Sequence, residues 1–287
     1  MPSGSLPRAG RRDALHSLTT LNWLRFPGGD ENIGAPSPAW PLERVIDAVA
    51  RAGSPGIGLD VYTLAQHVEA GGRVEELGGM LRSRGLVCTD VAPLLIAEDG
   101  SRAAAEELAH VAEVTGAGIC IAAVNSPTPR ADVVRSLNLC AGIVGESGAR
   151  LALEFTSYGG LTSLSEAIDL CDAVGWERCG VLVDSLHFFR TGESWPDLRT
   201  LDGDQIALVH LDDAPPPTGD DRMFESRFRR VPPGAGSLPL EEFRDAIVTT
   251  GYRGVVSAEV LSTDLRALPP EEGARELMDA VRRSWPL

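Results

Sequence analysis

Short runs rich in Val, Ile, Leu and Ala recur along this 287-residue chain, separated by longer stretches of helical period that mostly stop at a glycine: Gly53, Gly85, Gly116, Gly148, Gly175, Gly203 and Gly251. Glycine suits a helix C-terminus where the chain must turn through positive φ. The apolar runs that follow read "GIGLDVY", "GLVCTDVA", "GICIAAVN", "RLALEFTS", "GVLVDSLH", "QIALVHLDD" and "GVVSAEVLS", and "ALHSLTTLN" stands in front of the first helix, which makes eight strands. Strands alternating with helices at this spacing argue for a parallel sheet, and eight units argue for closure into an α/β (β/α)₈ TIM barrel. The competing arrangement is an open doubly wound sheet, but no GxGxxG follows the first strand. No domain boundary stands out, so a single barrel is expected over residues 14–287, after an N-terminal extension of residues 1–13.

Charge and residue usage then narrow the function. A net charge of −15 and a pI near 4.8 disfavour binding to phosphate backbones or anionic lipid, which leaves a small-molecule partner. All 26 basic residues are Arg, and a chain without lysine has no side-chain amine for Schiff-base chemistry. The five cysteines, Cys88, Cys120, Cys140, Cys171 and Cys179, form no CxxC pair and read as buried reduced thiols of a cytoplasmic protein. No apolar run is long enough to span a bilayer, and the polar N-terminus lacks the apolar core of a signal peptide. Homo-oligomerisation is left open.

In a barrel the C-terminal ends of all strands converge on one mouth. Four consecutive strands end there in ionisable residues: Glu154 from "LALEF", Asp184 and His187 from "VLVDSLH", His210, Asp212 and Asp213 from "LVHLDD", and Glu259 from "VVSAEV". Any one of them, alone, reads most simply as a solvated residue or one bonded to a loop amide. Together, three carboxylates and an imidazole in one mouth would repel and desolvate one another without a cation. Oxygen-rich ligation with one nitrogen suits Mn²⁺ or Mg²⁺ better than a thiolate zinc site. Two long loops also follow strands, "LRFPGGDENIGAPSPAW" and "DDAPPPTGDDRMFESRFRRVPPGAG", and the second carries Arg227, Arg229 and Arg230. Trp23, Phe26, Tyr158, Phe188 and Trp195 follow or flank strand ends and are candidates for the pocket wall, with core packing favoured for Phe188.

The segments "LALEF", "VLVDSLHFFRTGE", "LVHLDDAP" and "VPPGAGSLPLEEFRDAIVTTGYRGVVSAEV" resemble the sugar phosphate isomerase/epimerase family of the xylose-isomerase-like TIM barrel superfamily. The resemblance is strong over the C-terminal half and is only a matter of pattern before it. It implies one divalent metal held by Glu154, Asp184, His210 and Glu259, with Mn²⁺ foremost and Mg²⁺, Co²⁺ or Zn²⁺ as alternatives. It further implies His187 facing the substrate, a polyhydroxy carbonyl compound, with Glu154 and Glu259 as the acid/base pair. The chain departs from the family in its glycine segment, "PGAG", and in "DDAPPPTGDD", which stands where a substrate arginine is expected. Arg227, Arg229 and Arg230 are therefore equal candidates for that role, and Asp60 stands where a Glu is common. The chemistry implied is proton transfer next to a chelated carbonyl, giving an isomerase or epimerase. The alternatives are a dehydratase of an inosose- or dehydroshikimate-like ketone and a non-catalytic binding barrel. A DNA endonuclease is disfavoured by the acidic charge and by the scarcity of histidine.

Overall fold

The computed structural model describes residues 14–28, 34–97 and 101–287, and the N-terminal extension expected over residues 1–13 lies outside them. Among the described residues eight parallel strands close into a barrel in chain order: Leu15–Thr19, Gly56–Asp60, Val87–Leu95, Ile119–Ala123, Arg150–Glu154, Cys179–Asp184, Ile206–Leu211 and Val255–Ala258. Closure rests on the first strand, which pairs with the second through Leu18 and Ile57 and with the eighth through Ser17 and Ser257. An open doubly wound sheet has no such bond between its edges. The helices Leu42–Arg51 and Pro270–Ser284 pack against each other over the same seam. The first buries Leu42, Val45, Ile46 and Val49, the i, i+3, i+4, i+7 spacing of one helical face.

Two apolar cores result from the two faces of each strand. Outward-facing side chains meet the helices in one large shell. Inward-facing ones form a separate plug that includes Ala92, Ile119, Ile121, Ala152, Leu182, Leu208 and Val255. Because side chains alternate with period two, the residue two places after Ala152 on the inner face is Glu154, after Leu182 it is Asp184, and after Leu208 it is His210. The plug thus fills the barrel below, and the same face turns ionisable at the mouth.

Six of the seven helix-ending glycines, Gly53, Gly85, Gly116, Gly148, Gly175 and Gly251, hold positive φ as expected. Gly203 does not. The helix Trp195–Leu198 has already ended before it, and a Cβ on Gly203 would stand 2.5 Å from the Gly251 carbonyl carbon and the Tyr252 amide nitrogen. The glycine there serves close backbone approach. All five cysteines are free and buried, and burial pushes the Cys88 thiol up to about 12. No helix among the described residues is long and apolar enough to cross a membrane.

Candidate active site

The four strand-end residues meet. Ligand atoms of Glu154, Asp184, His210 and Glu259 all lie within 4.8 Å of one another, near the span of about 4 to 4.6 Å between opposite ligands on one divalent cation. His210 Nδ1 stands 3.9 Å from Glu154 Oε1, 3.9 Å from Asp184 Oδ2 and 3.6 Å from Glu259 Oε1. Neither nitrogen of His210 has a hydrogen-bond partner, nor has Glu154 Oε1, although these atoms are buried. Buried polar atoms are almost always bonded, so orphans grouped this way point to a ligand. Carboxylate oxygens grouped around one imidazole nitrogen without bonding it form a set that could hold a cation, and the residue types fit a divalent metal. Burial, and then the charges of Glu259 and Asp184, push the Glu154 carboxyl well above the usual carboxylate range.

The spacing of Asp184 and His187 is that of a helix cap. Asp184 is the N-cap of the helix Ser185–Thr191, and its Oδ1 accepts the His187 backbone N–H at 2.8 Å. Its Oδ2 is thereby left to face His210, so one carboxylate both starts the helix and lines the cluster. Burial alone would raise this carboxyl, but Arg230, with His187 and His210 beyond it, holds it below the usual range. The His187 ring is 1% exposed, and burial lowers it to about 4, so the imidazole is neutral. The backbone N–H of Ser157 donates to His187 Nδ1 at 3.0 Å, which places the ring proton on Nε2. That Nε2–H lies 3.4 Å from Arg230 Nη2. With Nδ1 accepting from Ser157, the Nε2 side of the ring and the Arg230 guanidinium are both donors, side by side at the cluster.

Three arginines were equal candidates, and the fold separates them. Arg230, 1% exposed, reaches Asp184 Oδ2 at 2.8 Å, Asp212 Oδ2 at 2.6 Å and Glu259 Oε2 at 3.2 Å. Ser226 fixes its other nitrogens through its carbonyl at 2.8 Å and its hydroxyl at 2.9 Å. Burial would weaken its charge, but Asp184, Asp212 and Glu259 keep the guanidinium firmly protonated. Arg229 is not brought to the cluster: its guanidinium binds Glu225 Oε1, the Thr218 hydroxyl and the Pro216 carbonyl within its own loop. Arg227 is half-buried over aromatic rings near the mouth.

Asp213, from the same tandem as Asp212, closes the loop that carries these arginines. Its Oδ1 accepts from the amides of Ala214 and Leu238, and its Oδ2 from those of Gly234 and Gly236. A Cβ on Gly236 would fall 2.6 Å from the Asp213 carboxyl carbon, so the glycine of "PGAG" is required by this contact. Asp60 belongs to another task. It is fully buried, caps the helix Val61–Glu69 through the Thr63 amide, and binds the hydroxyls of Thr20 and Thr63. Among the aromatic candidates, Phe188 stacks on Trp195 with centroids 5.2 Å apart, beside Phe243 in the shell core. Tyr158, by contrast, meets the His187 ring edge-on at 5.6 Å and so belongs to the site. The role of the Ser157 amide was invisible in the sequence, since a backbone donor leaves no residue signature.

A model of the xylose isomerase-like TIM barrel family matches residues 46–284, and the chain belongs to that family. The inosose isomerase of Bacillus velezensis is 33% identical over 140 residues, 47% of this chain and 49% of that protein. The 3-dehydroshikimate dehydratase of Pseudomonas putida is 28% identical over 145 residues, 50% of this chain and 23% of that one. The chain therefore spans about half the length, or less, of these curated relatives. Among solved structures, the IOLI protein with a bound zinc atom superposes with a TM-score of 0.80 over 95% of this chain and 100% of that one, at 17% identity. That likeness is one of fold.

Proposed function

We propose that this member of the xylose isomerase-like TIM barrel family is a divalent-metal-dependent isomerase or epimerase. Its substrate is a keto-sugar or related polyhydroxy carbonyl compound, and the reaction is proton transfer at the carbon next to the carbonyl. One observation carries the reading: Glu154, Asp184, His210 and Glu259 present ligand atoms within 4.8 Å of one another while both His210 nitrogens lack any partner. These four residues would hold the metal, and three carboxylates with one imidazole favour Mn²⁺ over thiophilic ions. When bound, a divalent ion supplies Lewis-acid polarisation of the carbonyl.

The remaining work falls to the chain's own groups. Glu154 and Glu259, whose carboxylates stand 3.9 and 3.6 Å from His210 Nδ1, serve as the acid/base pair. They approach from the fifth strand and from the end of the eighth, so they address the reacting carbon from different sides. His187 Nε2–H and an Arg230 N–H hold one substrate oxygen between them and stabilise negative charge as it develops there. The acidic net charge of −15 opposes any nucleic-acid or membrane partner, and five free buried thiols suit the reducing cytoplasm.

The test is hydrogen exchange. Mn²⁺-loaded protein incubated in D₂O with an inosose or a keto-sugar should place deuterium on the carbon next to the carbonyl, and Glu259→Gln should abolish it. Water loss to an unsaturated or deoxy ketone without that exchange would place the chain with the dehydratases instead. Neither event on the whole panel would remove the catalytic reading.

A further inference from the structure

Arg227 sits in the short helix Arg222–Phe228, within the excursion after the seventh strand. Its guanidinium carbon lies 5.6 Å from the centroid of the Phe26 ring and 5.9 Å from that of Tyr158. Phe26 follows the first strand and Tyr158 the fifth, and in the closed eight-strand order these two strands stand on opposite sides of the barrel. A group touching rings from both sides lies across the mouth. The Tyr158 ring in turn meets His187, so Arg227 is one ring removed from the site floor.

The contrast with its neighbours is chemical. Arg229 binds Glu225, and Arg230 binds Asp184, Asp212 and Glu259. Among the described residues, no carboxylate or carbonyl stands within bonding distance of the Arg227 guanidinium, and its recorded contacts are the two ring faces. Ring faces attract a cation and also strip water from it. They leave its in-plane N–H donors unmatched, and those donors form a planar fork that fits carboxylate or phosphate oxygens. Below it, a divalent ion and Arg230 together would offset Glu154, Asp184, Glu259 and Asp212 to within one charge. A ligand between floor and roof then meets Arg227 as a positive charge without a carboxylate partner among the described residues.

We propose that Arg227 is an anion-recognising roof, and that the substrate is a polyhydroxy ketone carrying a carboxylate or phosphate on the side remote from the reacting carbonyl. This rests on the reading that the cluster below is the reacting centre. The floor holds the carbonyl end through the metal ligands, His187 and Arg230. The roof selects among ketones by the charge on the other end, so Arg227 is a specificity-determining residue for the same site.

The experiment is calorimetric titration of Mn²⁺-loaded protein with three ketones: 3-dehydroshikimate, which carries a carboxylate, fructose 6-phosphate, which carries a phosphate, and an uncharged inosose. The wild type should prefer one of the two anionic probes, and which one identifies the source of the oxyanion. Arg227→Gln should weaken that probe by about 10- to 100-fold, the range for a charge-assisted contact, while inosose binding moves by less than about threefold. Arg227→Lys should recover part of the preference. Equal weakening of all three probes would make Arg227 a mere cover, and a wild type that prefers the uncharged ketone, or binds neither anion, overturns the proposal. Charge selection that persists without deuterium exchange on any probe would instead sink the isomerase reading and leave the anion site standing.

Discussion

Replacing Arg230 by methionine should destabilise the metal-free protein sharply and make its metal binding tighter. The guanidinium is 1% exposed and joins Asp184 at 2.8 Å, Asp212 at 2.6 Å and Glu259 at 3.2 Å. Methionine fills much of the same space, so the loss is of charge more than of packing. Removing one partner of a buried ion pair costs about 3 to 5 kcal/mol, because the stranded charge has no water to turn to. For a chain of this size about 2 °C of melting temperature goes with each kcal/mol, which gives a fall of about 6 to 10 °C. A divalent ion competes with the guanidinium for Asp184 Oδ2 and for the Glu259 carboxylate. Deleting the competitor removes one charge-assisted contact from the opposing state, which should tighten metal binding by about tenfold or more. By linkage, that tenfold returns about 1.4 kcal/mol at saturating metal. Thermal melts in chelator and in excess Mn²⁺, with titration calorimetry for the affinity, measure both quantities. Melting within about 2 °C of wild type in chelator, or weaker Mn²⁺ binding by the variant, refutes the account of Arg230 as the counter-charge of the empty ligand set.

Three further expectations follow from separate contacts. His187→Ala should cut turnover by about tenfold or more through loss of a donor to developing charge, while atomic absorption shows metal content unchanged; loss of the metal would make His187 a ligand. Gly236→Ala drives a Cβ to 2.6 Å from the Ala214 carbonyl oxygen as well as into the Asp213 carboxylate, so melting should report a loss of about 1 to 3 kcal/mol, and an unchanged melt would show that the loop closes without that contact. His16, whose Nε2–H donates to the Trp285 carbonyl at 2.8 Å, has its pKa lowered chiefly by burial. The unfolded chain therefore binds the extra proton more readily than the native one, and this contribution to stability is complete above the unfolded value and lost as pH falls through about 6.5 and below. His16→Gln should flatten the acid-side slope of melting temperature against pH, and an unaltered slope would show that His16 is not among the groups that set it.

The barrel was legible because its signals are local. An apolar run, a helical period and a terminal glycine are properties of a few consecutive residues, and period two along a strand carries the inner face from Leu182 to Asp184 and from Leu208 to His210 wherever that strand lies. Even Asp184 and His187 share a local cause, since their spacing is that of a helix cap and its third residue. By itself the sequence therefore determined the fold, the strand-end residues that gather at the mouth, and the pairing of carboxylates with a histidine. It could not rank Arg227, Arg229 and Arg230, which sit within four residues of one another in near-identical contexts. The choice depended on what each guanidinium meets across the mouth: buried carboxylates for Arg230, its own loop for Arg229, and rings from opposite strands for Arg227. Gly203 and Asp60 were misjudged or left open for the same reason, because a backbone contact with Gly251 and a hydroxyl from Thr20 come from distant parts of the chain. Charge pairing and close approach act through space at a few ångströms, so only the tertiary structure, which decides who the neighbours are, could assign those residues their work.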